Sequence, residues 1–209
     1  PMDWNSDLIG LMREFGGTRL ARHAHLPLQS GSDAVLRRMH RRYRPWHYTE
    51  KVHALREAAG PDLTVGADVM VGFPGETDAE FNETVQLIRQ LPFGYLHLFP
   101  FSPRPGTRGW ELHKQTPVPA AVVEERLAQL RRLAFEKSLA HRSSFVGWQV
   151  ECITLHTAEP AARQGRSAAL TENFLPIEIK EAGLAANQAM VALVTDVTSD
   201  GRMLAVRHK

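Results

Sequence analysis

Apolar and polar positions fall into two textures, and the change between them lies near residue 143. Upstream, strand-sized apolar runs alternate with helical stripes. "SDLIGLMREFGG" sets Leu8, Met12 and Phe15 at helical spacing between a Ser6 cap and a Gly-Gly stop. "RHAHLPL" (22–28) reads as a strand, and Ser32 opens a helix carrying Val35, Leu36, Met39 and Tyr43. Thr49 opens another through Val52 and Leu55. "LTVGADVMVG" (63–72) is nearly continuous in apolar residues, as in a parallel-sheet strand buried on both faces. Thr77 and Glu80 form a capping box ahead of Phe81, Val85 and Ile88. "GYLHLFPF" (94–101) is a third strand, and "SPRPGTRGWELHKQTPVP" reads as a Pro-rich loop. A long helix then runs from near Pro119 to about Arg142 through Val123, Leu127, Leu130 and Ala134. Strand then helix, three times over, predicts an α/β unit, a βα-repeat parallel sheet, over residues 1–142.

From residue 143 to 209 the runs shorten and alternate: "WQVECITL", "SAALTENFLPIEI" and "AMVALVTDVTSDGRMLAVR". "TSDGRM" carries the Asp-Gly hairpin signal. These segments predict a small antiparallel β-barrel, only marginally stable by itself and therefore leaning on the preceding helix.

Composition narrows the function classes. The 209 residues are 43% hydrophobic and 23% charged, enough for a real core. No apolar run is long enough to span a membrane, and a basic region followed by an apolar signal core is missing from the start of the chain. With Cys152 as the single cysteine, neither an internal disulfide nor a CxxC metal site can form, and a cytoplasmic setting is expected. Net charge is +2, unevenly spread. "RRMHRRYR" (37–44) holds five arginines, whereas Glu57–Ile88 holds seven acids and no Lys or Arg.

Two loops after predicted strands draw attention: "QSGS" (29–32) and "GFPGET" (72–77). In a parallel βα sheet, ligands bind at the carboxyl ends of strands, so both loops belong to one rim. Gln29, Ser30 and Ser32 offer side-chain donors and acceptors, and Gly31 permits a tight turn. Gly72, Phe73, Pro74 and Gly75 offer a stiffened backbone. Glu76, in an acidic stretch at a helix start, suits a cationic or hydroxyl-bearing ligand better than a phosphate. The alternative is a pair of ordinary βα turns with Glu76 serving the helix dipole. His23 and His25 share a strand face; with no third ligand near them in sequence, packing or hydrogen bonding is the expected role rather than metal binding. No nucleophile or acid/base constellation stands out.

"HLPLQSGSDAVLRRMHRRY", "VGADVMVGFPGETDAEFNET" and "YLHLFPFSPRPGT" resemble, in order and spacing, successive segments of the radical S-adenosylmethionine methylthiotransferases. The C-terminal region is similar to TRAM, the RNA-binding β-barrel that ends those enzymes. "YLHLFPFSPRPGT" resembles most the branch acting on threonylcarbamoyladenosine beside the tRNA anticodon; the isopentenyladenosine branch and a non-catalytic RNA-binding module are the alternatives. The resemblance implies S-adenosylmethionine and two 4Fe-4S clusters in a longer parent protein. This chain, with one cysteine, is expected to be its C-terminal part: clusterless, inactive alone, and partnered by the upstream part of the same polypeptide. It also implies that Gln29, Ser30, Gly31, Ser32, Asp68, Gly72, Phe73, Pro74, Gly75 and Glu76 belong to the cosubstrate pocket, with Asp68 and Glu76 matching the sulfonium and ammonium.

The arginines carry the nucleic-acid reading. On a continuous helix Arg37/Arg41 and Arg38/Arg42 would be like-charge pairs that tRNA phosphates relieve, the alternative being a solvated face. Arg104 and Arg108 on the Pro-rich loop and Arg163 and Arg166 in a barrel turn, beside Phe174, complete the candidate RNA-binding set. The barrel itself lacks a basic footprint: residues 143–209 hold six Lys or Arg against seven Asp or Glu. The resemblance implies that residues 1–142 are part of a radical-SAM-type (βα) barrel, which would expose strand edges and apolar interior, so a homo-oligomer is a further expectation.

Overall fold

The computed structural model describes Pro1 and residues 3–208. Its first half is built on three parallel strands, β1 (His23–His25), β2 (Thr64–Val71) and β3 (Phe93–Pro100), in that spatial order. Around them lie α1 (Ser6–Phe15), α2 (Asp33–Arg38), α3 (Pro45–Ala59), α4 (Asp78–Gln90), α5 (Arg108–Gln115) and α6 (Ala120–Ser143). One sheet face is the core. Ala24, Val65, Ala67, Val69 and Val71 pack with Leu26, Leu28, Tyr48, Leu55, Ile88, Leu127 and Leu130 in a single buried cluster.

The other sheet face is not covered to the same degree. In β2 burial is continuous from Thr64 to Ala67 but then alternates, with Asp68 and Met70 partly exposed. The expectation of a strand buried on both faces therefore holds only for its first half. His23, His25, Tyr95, His97 and Phe99 from the flanking strands share this open side. It is rich in imidazole, not the apolar interior expected from an incomplete barrel.

Local chemistry moves several boundaries. The α1 cap is Asn5, whose Oδ1 accepts from Leu8 N, not Ser6. The helix from Ser32 stops at Arg38, and Arg41 and Arg42 lie outside it. His40 ends it, adopting φ 56° while Arg41 N donates back to Leu36 O at 2.9 Å, and Pro45, the first residue of α3, then holds Arg44 extended (φ −123°, ψ 163°). Tyr43 leaves the helical register and turns inward, its hydroxyl donating to Leu28 O at 2.9 Å. The Pro-rich loop contains α5, capped by Thr107, whose Oγ1 accepts from Trp110 N. In α6, Leu127, Leu130 and Leu133 are buried on one side, and so is Arg126.

Beyond α6, five strands close into a barrel in the order β4 (Gln149–Thr154), β5 (Ser167–Thr171), β6 (Pro176–Ile179), β8 (Met203–Arg207), β7 (Ala189–Val197). A short helix, α7 (Glu159–Arg163), bridges β4 and β5. Four seams are antiparallel as expected, but β6 and β8 pair in parallel, which closes the barrel. Its core is Phe145, Cys152, Leu175, Ile177, Ile179, Val194, Met203 and small residues between them. Gly201 (φ 84°) makes the β7–β8 turn, where Thr198 N donates to Arg202 O.

The barrel sits against the amino-terminal ends of the sheet strands. Arg22 Nη1, just before β1, reaches both Asp62 Oδ2 (3.0 Å) and Glu172 Oε1 (3.2 Å). Asn173 Nδ2 donates to Asp62 O at 2.8 Å, and the Phe174 ring stacks on His23 with centroids 4.8 Å apart. The end of α6 joins in, with Arg142 donating to Gly201 O. Nearby, His141 Nε2 lies 3.1 Å from Thr64 Oγ1 with its ring edge-on to Phe145.

Candidate functional site

Gln29, Ser30, Gly31 and Ser32 form a tight turn at the carboxyl end of β1. Gln29 adopts φ 64°, donates its N–H to Asp68 O (2.8 Å) and accepts from Met70 N (2.9 Å), so its backbone extends the sheet. Ser30 Oγ lies 3.2 Å from Thr84 Oγ1, and Gly31 N donates to the same Thr84 oxygen at 2.9 Å. A Cβ on Gly31 would come within 2.6 Å of Thr84 Cα, which explains the glycine. Ser30 and Ser32 are both fully buried. Ser30 Oγ thereby seats the turn on α4 and accepts from Ser32 N at 3.1 Å, whereas Ser32 Oγ is buried with no hydrogen-bond partner among the described residues.

The second loop is held just as firmly. Gly72 (φ 77°) and Gly75 (φ 73°) make the bends. Glu76 Oε2 accepts from Gly72 N at 2.8 Å and from Arg126 Nη1 at 2.9 Å, with only 1% of the Glu76 side chain exposed. Arg126 also reaches Glu76 O and Asp78 Oδ1. Burial pushes the Glu76 carboxyl up, against the pull of Gly72 N–H and Arg126. Gly75 N donates to Thr116 O and its carbonyl accepts from Arg38. Phe73 packs edge-on against Phe101, and Pro74 is buried. The acidic stretch is thus compensated from distant elements, with Glu76 turned to Arg126. A basic residue 50 positions away leaves no local trace in sequence.

What faces solvent between these loops and the barrel is the open side of the sheet. Asp68 Oδ1 lies 3.2 Å from His25 Nε2 and 3.2 Å from His97 Nδ1. His25 Nδ1 lies 3.2 Å from Tyr95 Oη, and Tyr95 Oη lies 2.8 Å from His23 Nε2. Desolvation, then His25, lowers the His23 pKa; desolvation, then Asp68, raises that of Tyr95. Gly66 leaves room for the Tyr95 ring, since a Cβ there would meet it at 2.0 Å. The third partner that His23 and His25 lack in sequence comes from β2 and β3. Among the ten proposed pocket residues, Asp68 alone presents a partly exposed charged side chain here.

The eight candidate RNA-binding arginines divide evenly. Arg38 grips Glu80 through two bonds of 2.8 and 2.7 Å, and Arg37 pairs with Asp33. Arg166 pairs with Glu178 at 2.6 Å and Arg163 with Glu159. These four already have intrachain partners. Arg41, Arg42, Arg104 and Arg108 are exposed and have no ion pair among the described residues. The like-charge helical pairing expected for Arg37/Arg41 and Arg38/Arg42 does not occur, because α2 ends first.

A fit for an iron–sulfur cluster fails on the residues given. Such clusters take several thiolates, and Cys152 is a lone buried thiol whose pKa desolvation pushes up to about 11. Among the described residues no helix is long and apolar enough to cross a membrane.

Residues 2–88 match the family described as the radical SAM superfamily. The tRNA-2-methylthio-N(6)-dimethylallyladenosine synthase of Thermus thermophilus is 40% identical over 153 residues, 73% of this chain and 32% of that protein. The protein of the same name from Rickettsia rickettsii is 40% identical over 149 residues, 70% of this chain and 32% of its own length. The chain thus spans about a third of these relatives. Coproporphyrinogen III oxidase HemN from Escherichia coli, a radical SAM enzyme, aligns over 95% of this chain and 48% of its own at 13% identity, with a TM-score of 0.49.

Proposed function

Because the chain belongs to the radical SAM methylthiotransferase family, we propose that it is the part of a tRNA-modifying enzyme that closes one side of the cosubstrate pocket and carries the RNA-binding barrel. The observation that carries this reading is the 40% identity to the two synthases over 153 and 149 residues of the chain. Asp68 is the residue whose carboxylate answers the positive charge of S-adenosylmethionine. Gln29–Ser32 and Gly72–Glu76 act behind it by fixing the rim through Thr84 and Arg126. The cluster that reduces the cosubstrate belongs to other residues, so no cleavage step is assigned to this chain. Anaerobic reconstitution with iron and sulfide is expected to leave it colourless; a stoichiometric four-iron absorbance band would overturn that assignment.

Methylthio insertion at C2 of an N6-modified adenosine is the proposed reaction of the whole enzyme. Threonylcarbamoyladenosine is the proposed substrate, since its carboxylate suits the exposed Arg104 and Arg108 on the loop after β3. The dimethylallyl base named for the relatives lacks that charge. Offering the complete enzyme both tRNAs and measuring the methylthiolated nucleoside by mass spectrometry decides between them. An RNA-binding module without cosubstrate function would bind tRNA and show no heat with S-adenosylmethionine.

Docking of tRNA is assigned to Arg41, Arg42, Arg104 and Arg108. Reversing all four charges in the complete enzyme should flatten the salt dependence of tRNA binding by about three slope units. Reversing Arg163, already paired with Glu159, should change it by less than about one. If the quadruple variant keeps its affinity and slope, tRNA docks elsewhere.

A further inference from the structure

We propose that His25, Asp68 and His97 form a binding site for a divalent transition-metal ion of the zinc type. Their ligand atoms all lie within 4.8 Å of one another, one from each strand of the sheet. Parallel pairing produces this convergence. His25 pairs with Gly66 and Asp68 with His97, so side chains two residues apart on β1 and β2 and one across on β3 emerge on the same side.

The spacing suits a shared ion. Two donors bound to one tetrahedral ion at about 2.0–2.1 Å stand roughly 3.3 Å apart. Each imidazole nitrogen stands 3.2 Å from Asp68 Oδ1. Two imidazoles and a carboxylate are a borderline donor set that takes zinc and its first-row neighbours, not calcium or magnesium. The surround also fits. A ligating imidazole characteristically has its second nitrogen tied to a hydrogen-bond partner, and His25 Nδ1 meets Tyr95 Oη, which His23 braces in turn. When Nδ1–H donates to Tyr95, the Nε2 lone pair faces the Asp68 carboxylate, an opposition that a cation between them relieves. His97 is 64% exposed, leaving the outer side open to water or another ligand.

Asp68 belongs both to this site and to the proposed cosubstrate pocket, so the test contains no S-adenosylmethionine and reads binding alone. The tag-free chain, stripped with chelator, is titrated with Co²⁺ by visible absorbance and with Zn²⁺ by calorimetry. One ion per chain is expected, with ligand-field bands for cobalt. Asp68→Asn and His97→Ala should each weaken binding about 100-fold, and Tyr95→Phe about 10-fold, as a loss behind the ligands. Zinc should raise the melting temperature of the parent chain and not of Asp68→Asn, whose unliganded melt also reports folding. A Kd weaker than about 1 mM, or unchanged affinity in Asp68→Asn and His97→Ala, would overturn the proposal and make the ion adventitious on other histidines.

Discussion

Replacing Arg126 with alanine is expected to destabilise the chain by about 3–5 kcal/mol, because it strands a buried carboxylate. Arg126 supplies one bond to the Glu76 carboxylate, one to its carbonyl and one to Asp78, and its guanidinium lies over the Phe81 ring at 5.2 Å. Asp78 is 95% exposed and can turn to water; Glu76, at 1%, cannot. Gly72 N–H would be its remaining partner. The Glu76 carboxyl is already raised by burial, and removing the guanidinium raises it further. A folded-state pKa above the unfolded one means that the folded state binds more protons, so the variant should lose stability as pH rises through that interval. Urea unfolding at pH 5 and pH 8 measures both effects. Glu76→Gln added to Arg126→Ala should recover a substantial part of the loss. A penalty under about 1 kcal/mol for the single variant would mean that the pair does not hold the loop.

Acid sensitivity should come largely from His141, whose pKa burial, with Arg56 and Arg142 adding smaller effects, lowers to about 4. The unfolded chain takes up this proton near pH 6.5 and the folded chain near pH 4, so stability is full above about 6.5 and lost as pH falls between the two. The full difference is about 3 kcal/mol, reached near pH 4. His141→Gln keeps a hydrogen-bonding group for Thr64 and does not titrate. Its urea midpoint should fall less than the parent's between pH 7 and pH 5. His23, also lowered by desolvation, acts in the same direction and leaves a residual slope. Identical pH profiles for parent and variant would remove His141 from the account.

The elements most legible in sequence are those whose signal is local. The Thr77/Glu80 capping box forms with both of its reciprocal bonds, and the apolar stripe of α6 is buried at Leu127 and Leu130. The β7–β8 turn uses the Asp-Gly pair. Where local signals compete, periodicity misleads: Val35, Leu36, Met39 and Tyr43 continue a helical period, yet the left-handed turn at His40 ends α2 before Tyr43. The site was least legible. Arg126 meets Glu76 across 50 positions, and Asp68 meets His25 and His97 across 43 and 29, through strand register that no single segment encodes. Gln29–Ser32 stood out as a loop, but only the packing on Thr84 shows its serines turned away from solvent.

The parallel seam between β6 and β8 leaves the barrel without a free edge, whereas the three-stranded sheet ends in two that differ, β1 and β3. Growth by strand addition is therefore confined to the sheet. Its two ends are not interchangeable: seating β1 of one copy beside β3 of the next is a head-to-tail contact that regenerates both ends. Such addition has no built-in stopping point unless it curls into a ring, while β3 meeting β3 stops at two. Concentrated samples should accordingly show either a ladder of sizes or a lone dimer, and the pattern reports which edge is in use.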